Sequence, residues 1–373
     1  MSDTDMNVYR ELQEHLDKMP VGFPATESGI ELKVLKHLFT PEEAHLALKL
    51  NYMPDPLKKI YRRVKKTGIS IEELEILLDE MYEKGLLNYG KSTSEKGVEE
   101  KFFANAPIVI GMFEYQLGRL TKEFIADMKQ YFEEAFFEKE WNLTGIPQLR
   151  TIPIGQSVEH EQNIANYDDL RNIIENSGGP IGLAECICRK SKDILGDPCK
   201  KTDMREICFS FRSAAEMYHE KGLARLISKK EALDILEKVE EAGLVLQPGN
   251  SQRPMCICCC CGCCCEVLTN QKKFDEPSRF FATNFQAEVD SELCIGCGIC
   301  VDRCNMDAIT IVDDKSEIEK GRCIGCGACV PTCPQDAISL RKKEETIVPP
   351  KNTMGTYIAI MDKKAELARM EKS

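Results

Sequence analysis

Cysteine is missing from the first 185 residues of this 373-residue chain, histidine is scarce throughout, and there is one tryptophan. No apolar run reaches the 18 or more residues that a spanning helix requires, so no membrane span is expected. The opening Met1-Ser-Asp-Thr-Asp-Met6 has no basic region leading into an apolar one, so no export signal is expected either. No G-x-G-x-x-G follows a strand, because the Gly-x-Gly pairs at 296 and 325 lie inside cysteine runs. That leaves no phosphate loop and no flavin or nicotinamide site. Positive charge is in deficit, 49 basic against 61 acidic residues for a net −12, which argues against a general nucleic-acid binder and an anionic membrane partner. With 43% hydrophobic and 29% charged residues the chain reads as globular, and its length predicts two or three domains.

What the chain has in excess is cysteine: twenty, all between Cys186 and Cys333. Without an export signal this points to a cytoplasmic protein whose thiols serve metals or redox chemistry rather than disulfides. The last eight form a repeat. Cys294-Ile-Gly-Cys-Gly-Ile-Cys-Val-Asp-Arg-Cys304 and Cys323-Ile-Gly-Cys-Gly-Ala-Cys-Val-Pro-Thr-Cys333 are offset by 29 residues, and each precedes an Asp-Ala-Ile that predicts a strand. The spacing C-x2-C-x2-C-x3-C lets three thiolates curl around one iron–sulfur cube, while the fourth is carried off to the neighbouring cube. Glycines 296, 298, 325 and 327 permit the tight loop. This assigns Cys294, Cys297, Cys300 and Cys333 to one [4Fe–4S] cluster, and Cys323, Cys326, Cys329 and Cys304 to a second. Paired zinc sites are the alternative for C-x2-C, but zinc does not call for two four-cysteine copies at this spacing.

On these motifs, residues 285–341 resemble the two-cluster bacterial ferredoxin family. Asn305 departs from it, standing where the family has the proline seen here at Pro334; neither is a ligand.

The other twelve cysteines are unusual. Cys186, Cys188, Cys199 and Cys208 could fill a third cluster or a zinc site, or remain free. Arg189 and Lys190 would offset thiolate charge there, and Phe209 and Phe211 would shield it from water. Cys256, Cys258, Cys259, Cys260, Cys261, Cys263, Cys264 and Cys265 cannot all serve one cube, since consecutive side chains diverge. A subset could ligate a further cluster while others reach the Cys186 group, the segment could hold a larger or unusual cluster, or a dithiol could meet a substrate; the bland alternative is a strand of small buried hydrophobes. Cys-x-Cys-Arg, a helix ending in Glu-Glu-Ala-Gly-Leu-Val (240–245), the cysteine-packed strand and the ferredoxin motif together are similar, over most of the chain, to multi-cluster ferredoxin-like proteins of anaerobic bacteria and archaea. That resemblance implies extra clusters and no particular reaction.

The expected fold class is α+β: a helical winged-helix-like N-terminal module (30–105), a central mixed α/β cysteine-rich domain (106–283), a 2[4Fe–4S] ferredoxin domain (284–342), and a linker with an amphipathic C-terminal helix (343–373). Capping boxes are read at Thr40–Glu43, Ser70–Glu73 and Ser228–Glu231. Between the first two, Lys58, Lys59, Arg62, Arg63, Lys65 and Lys66 surround Ile60 and Val64. Such modules often bind DNA, but helix 70–84 carries Glu72, Glu73, Glu75, Glu80 and Glu83, which repel phosphate and favour protein docking. Further expectations are a long helix over Arg119–Trp141, a strand at Leu149–Ile154, a helix at Asp168–Ser177, a linker at Val348–Lys351 and a helix at Tyr357–Lys372. The histidines (15, 37, 45, 160, 219) are scattered, and His219 near Cys208 reads as a surface or core residue rather than a ligand.

The function these features predict is an oxygen-sensitive electron carrier, the electron-transfer component of an oxidoreductase system. It would relay single electrons through two [4Fe–4S] clusters plus further iron–sulfur clusters to or from a larger oxidoreductase with a basic docking patch. The alternatives are a reductase with a substrate-reactive cluster or dithiol in Cys256–Cys265, and a redox-sensing DNA-binding regulator acting through Arg62 and Arg63.

Overall fold

Thr40 and Ser70 start two helices as their capping boxes predict. In the computed structural model, which describes residues 3–93, 99–158 and 164–371, each hydroxyl accepts from the backbone N–H of Glu43 or Glu73. The carboxylate of that glutamate accepts in return from the N–H of the cap residue. The chain divides into two units, residues 1–140 and 141–373.

The first unit runs α1 (Asp3–Asp17), α2 (Ile30–Leu38), α3 (Pro41–Ala47), β1 (Asp55–Pro56), α4 (Leu57–Val64), α5 (Ile71–Glu83), β2 (Leu87–Thr93), β3 (Glu99–Asn105) and α6 (Lys122–Tyr131). The strands form an antiparallel sheet in the order β1-β3-β2. α5 buries Leu74, Leu78, Met81 and Tyr82 on one stripe and leaves Glu72, Glu73, Glu80 and Glu83 exposed. On α4 the basic run is partly neutralised from within. Arg63 donates to Asp55 at 2.5 Å and to the Lys49 carbonyl at 2.8 Å, and Lys59 pairs with Asp55 at 2.7 Å. Burial alone would raise the Asp55 carboxyl; these two cations bring it below its usual range. The helix expected over Arg119–Trp141 begins only at Lys122, capped by Thr121, and continues beyond Tyr131 as a wider turn of i→i+5 type, Phe132–Trp141. There Phe132, Phe136 and Phe137 pack on one another with centroids 5.3 to 5.6 Å apart, so the aromatic stripe is core.

The second unit contains α7 (Leu170–Glu175), β4 (Ile181–Glu185), α8 (Ile187–Leu195), β5 (Glu206–Phe211), α9 (Ser213–Glu220), β6 (Ala224–Ile227), α10 (Lys229–Glu241), β7 (Val245–Pro248), β8 (Cys256–Cys260) and α11 (Glu266–Gln271). It closes with β9 (Phe285–Val289), α12 (Ile299–Arg303), β10 (Ile309–Val312), β11 (Lys315–Ile318), β12 (Ile338–Lys342) and α13 (Thr353–Met370). Its main sheet has the antiparallel order β6-β4-β5-β8-β7, and two ribbons, β10-β11 and β9-β12, serve the last eight cysteines. Helices set against wholly antiparallel sheets make the class α+β. Leu183, Phe209, Phe211 and Ile257 from the sheet pack with Ala232, Leu236 and Val239 of α10 to form the core.

Four local expectations change. Ser228 caps α10, but Glu231 completes no capping box because its carboxylate pairs with Arg225 at 2.6 Å. Leu149–Ile154 forms isolated bridges rather than a continuous strand: Leu149 and Ile152 lie opposite Gly249 and Leu246 in one antiparallel register beside β7, while Arg150 between them bridges Ala282. The 168–177 helix is shorter, Leu170–Glu175, because Asp169 caps it by accepting from the N–H groups of Arg171 and Asn172. The segment 348–351 is held to the unit, since Gln252 donates to the carbonyls of Pro349 and Pro350. α13 follows and docks by a hydrogen bond from Thr356 to the Asn250 carbonyl at 2.6 Å. Among the described residues no helix is long and apolar enough to cross a membrane.

Candidate metal centres

The 29-residue repeat is a repeat of structure. Cys304 follows α12 and Cys333 follows a single 3-10 turn, Val330–Thr332, after which β10 and β12 start at Ile309 and Ile338. The same offset governs the hydrogen bonds to sulfur. Ala308 and Ala337 donate to Cys304 and Cys333 at 3.3 and 3.2 Å; Ser316 and Ala287 donate to Cys294 and Cys323 at 3.3 and 3.5 Å. Gly296 and Gly325 have φ of +66° and +65°, and a Cβ there would stand 2.3 and 2.1 Å from the carbonyl oxygens of Asp314 and Phe285. Only glycine fits such a turn.

The fourth thiols change places between the runs. Cys333 lines one pocket with Cys294, Cys297 and Cys300, whereas Cys304 lies within electrostatic reach of Cys323, Cys326 and Cys329. Burial pushes the Cys304 and Cys329 thiols up and Cys326 up to about 12; the N–H groups of Ser316 and Gly296 hold Cys294 down. Four sulfurs per group, aimed together and supplied with N–H donors, form a donor set that fits an iron–sulfur cluster. Burying them as bare thiolates would be costly, and metal ions remove that cost.

The twelve remaining cysteines regroup relative to their order in the sequence. Strand pairing sets Cys208 of β5 opposite Cys258 of β8, and the two-residue period puts Cys260 on the same face. Cys186, the N-cap of α8, and Cys265, the N-cap of α11, enter this face together with Cys188. These six thiols close a ring in the order 186, 188, 265, 260, 258, 208, each interacting with the next. Acidity alternates around it. The neighbouring thiols Cys188 and Cys208 hold Cys186 well down, Cys208 and Cys260 bring Cys258 to about 5, and Cys188 and Cys260 lower Cys265. Cys188, Cys208 and Cys260 are correspondingly raised.

Cys199 leaves the group in which the sequence placed it and joins Cys261, Cys263 and Cys264. Cys259 turns to the other sheet face and sits in the core, where burial raises its thiol; Cys256 lies at the start of β8, opposite Ser210. Only residues 256–260 are strand, because the chain turns at Gly262.

Two expected supports also differ. Phe209 and Phe211 alternate with Cys208 along β5 and enter the core from the opposite sheet face, the side of Cys259. Lys190 is drawn to Glu185, so of the two expected cations Arg189 supplies the counter-charge, and Arg205 also lies within electrostatic reach of Cys199. Arg189 is 1% exposed and donates to the Cys259 carbonyl at 3.0 Å, while its Nε and Nη2 meet no oxygen or nitrogen acceptor. Burial alone would lower its pKa; the sulfurs of Cys186, Cys261 and Cys199 raise it instead. His219 bonds the Ala224 carbonyl at 3.2 Å, and His160 lies outside the described residues.

A residue the sequence marked only as a departure, Asn305, proves to be one of the links between the cysteine regions, beside Arg303 and Lys272. It is buried, accepts from Gly262 N–H at 2.9 Å and donates to the Gly243 carbonyl at 2.8 Å. A proline there would provide neither bond.

Residues 287–340 match a family described as a 4Fe-4S dicluster domain, and residues 322–363 match a second family of the same description. No curated protein and no solved structure matches the chain. The C-terminal region is therefore a ferredoxin-like iron–sulfur domain with [4Fe–4S] cofactors, and the chain is an iron–sulfur electron-transfer protein. These matches cover residues 287–363; a resemblance over most of the chain is not shown.

Proposed function

We propose that this chain relays single electrons through three iron–sulfur centres to or from a partner oxidoreductase. One [4Fe–4S] cluster is held by Cys294, Cys297, Cys300 and Cys333, a second by Cys323, Cys326, Cys329 and Cys304, and a further cluster by the ring of Cys186, Cys188, Cys208, Cys258, Cys260 and Cys265. When bound, such clusters supply reversible one-electron exchange. The observation that carries this reading is the exchange of the fourth thiols between the two runs, which interlocks two four-sulfur sites at one spacing.

The residues around the sites support a relay. The backbone donors on Cys294, Cys304, Cys323 and Cys333 stabilise extra negative charge on sulfur. Cys297 is exposed amid Leu293, Ile295 and Ile299, which are 50%, 60% and 45% exposed, an apolar patch suited to a protein partner. Residues 284–342 carry ten acidic and six basic side chains, so that partner would present a basic rim. The helices and β1-β3-β2 sheet of the first unit form the winged-helix-like docking module of this proposal, and the four-part division of the chain belongs to it as well. The DNA-regulator alternative fares worse, since Arg63 is committed to Asp55.

The test is anaerobic reductive titration of the full chain, followed by electron paramagnetic resonance. The chain is expected to take up more than two electrons. Cys333→Ser should alter the centre of the first run, and Cys304→Ser that of the second. Uptake of two electrons or fewer, or each substitution acting on its own run, would overturn the reading.

A further inference from the structure

Cys199 comes from the loop between α8 and β5, whereas Cys261, Cys263 and Cys264 come from the turn between β8 and α11. Their sulfurs nevertheless meet. Cys199 Sγ lies 3.7 Å from Cys261 and 3.8 Å from Cys263; Cys263 lies 3.5 Å from Cys261 and 3.6 Å from Cys264. All four fall within 4.8 Å of one another.

That separation decides what they can hold. Metal–sulfur bonds of about 2.3 Å pointing to the corners of a tetrahedron put neighbouring sulfurs about 3.8 Å apart. The thiolates of a [4Fe–4S] cube each bind a different iron and must stand much wider than this quartet does. The site is also built for charge. A tetrathiolate site of a divalent metal is a dianion, here with Cys261 and Cys264 buried and Cys199 and Cys263 half-buried, and the buried Arg189 guanidinium, with two nitrogens lacking an oxygen or nitrogen acceptor, lies within electrostatic reach of Cys199 and Cys261. The turn is fixed as well: Gly262 N–H is held by Asn305, and a Cβ at 262 would stand 2.2 Å from the Asn305 carbonyl oxygen. Glycine is thus required between Cys261 and Cys263.

We infer that Cys199, Cys261, Cys263 and Cys264 bind a single tetrahedral metal ion, zinc or iron, separate from every cluster in the chain. The ion replaces the thiol protons and ties the loop before β5 to the turn after β8, closing a loop of 62 residues in the manner of a structural tetrathiolate site. This deepens the reading of the 186–265 region as metal-bearing and divides it into two chemically different sites.

The test uses the full chain purified anaerobically, with iron, zinc and acid-labile sulfide counted per chain. In [4Fe–4S] clusters iron equals sulfide, so iron plus zinc minus sulfide reads the lone ion. A surplus of about one metal per chain is expected, as one tetrathiolate site requires. Whether that surplus is zinc or iron identifies the ion. Cys263→Ser should remove the surplus and leave sulfide unchanged. If that variant fails to fold, X-ray absorption on the native protein should show four sulfurs at about 2.3 Å from a metal without a close metal neighbour. No surplus in the native protein, or loss of sulfide together with the metal in the variant, overturns the inference. Sulfide below about eight with the surplus intact would instead sink the cluster assignment and leave this site standing.

Discussion

Asn305→Ala removes the amide that joins the turn at Gly262 to the end of α10, and its cost follows from two hydrogen bonds. The bond to the Gly243 carbonyl is buried, and leaving that acceptor unpaired costs about 1–3 kcal/mol. The bond from Gly262 N–H is half-buried and contributes about 0.5–1.5 kcal/mol. Together these give about 2–4 kcal/mol. For a unit of this size each kcal/mol moves the melting midpoint by about 2–4 °C, so the expected fall is roughly 5–15 °C. The assay is calorimetry of anaerobic protein at one fixed scan rate, because cluster loss makes unfolding irreversible. Asn305→Asp keeps the acceptor for Gly262, loses the donor to Gly243, and should fall between the two. A midpoint for Asn305→Ala within about 2 °C of the native protein would refute the reasoning.

Gly325→Ala combines a positive φ with a Cβ 2.1 Å from the Phe285 carbonyl oxygen, so about one cluster's worth of sulfide, roughly four per chain, should be lost while the far-ultraviolet spectrum of the first unit persists. Arg189→Met removes the buried counter-charge beside Cys186, Cys199 and Cys261; spectroelectrochemistry should show one centre shifting negative by on the order of 60 mV, about tenfold in a one-electron equilibrium. Arg150 and Asp168 form a buried ion pair, also braced by Asn284 at 2.9 Å, so Arg150→Met should cost about 3–5 kcal/mol in anaerobic chemical unfolding. Burial raises the Glu240 carboxyl, against the Gly155 N–H and Arg171. A raised folded pKa favours folding at low pH and costs stability once the group ionises, so Glu240→Gln should raise the melting midpoint above about pH 6 and make no difference below about pH 4.

The ferredoxin motif was legible because its geometry is covalent. Two-residue spacings force three thiols into one loop, and the repeat carries the glycines, the strands and the donors with it. The caps at Thr40 and Ser70 were legible for the same reason, since partners three residues apart meet in any helix. What escaped depends on register across the sheet. That Cys208 faces Cys258, sending Phe209 and Phe211 to the opposite side, follows from how β5 pairs with β8, some fifty residues away in sequence. Cys199 likewise reads as a neighbour of Cys208 but folds onto the turn at Gly262. Glu231 was lost to Arg225 and Lys190 to Glu185, competitors that spacing alone does not reveal. Asn305 signalled itself only as a missing proline.

The central claim is that the chain carries the ferredoxin pair and a further cluster in the six-thiol ring. Acid-labile sulfide per chain in anaerobically purified, fully loaded protein tests it most directly. The pair alone supplies about eight, so a count clearly above eight, reduced by Cys258→Ser, is the predicted result. A count of about eight that Cys258→Ser leaves untouched would contradict the ring cluster, and a count of four or fewer would contradict the interlocked pair as well.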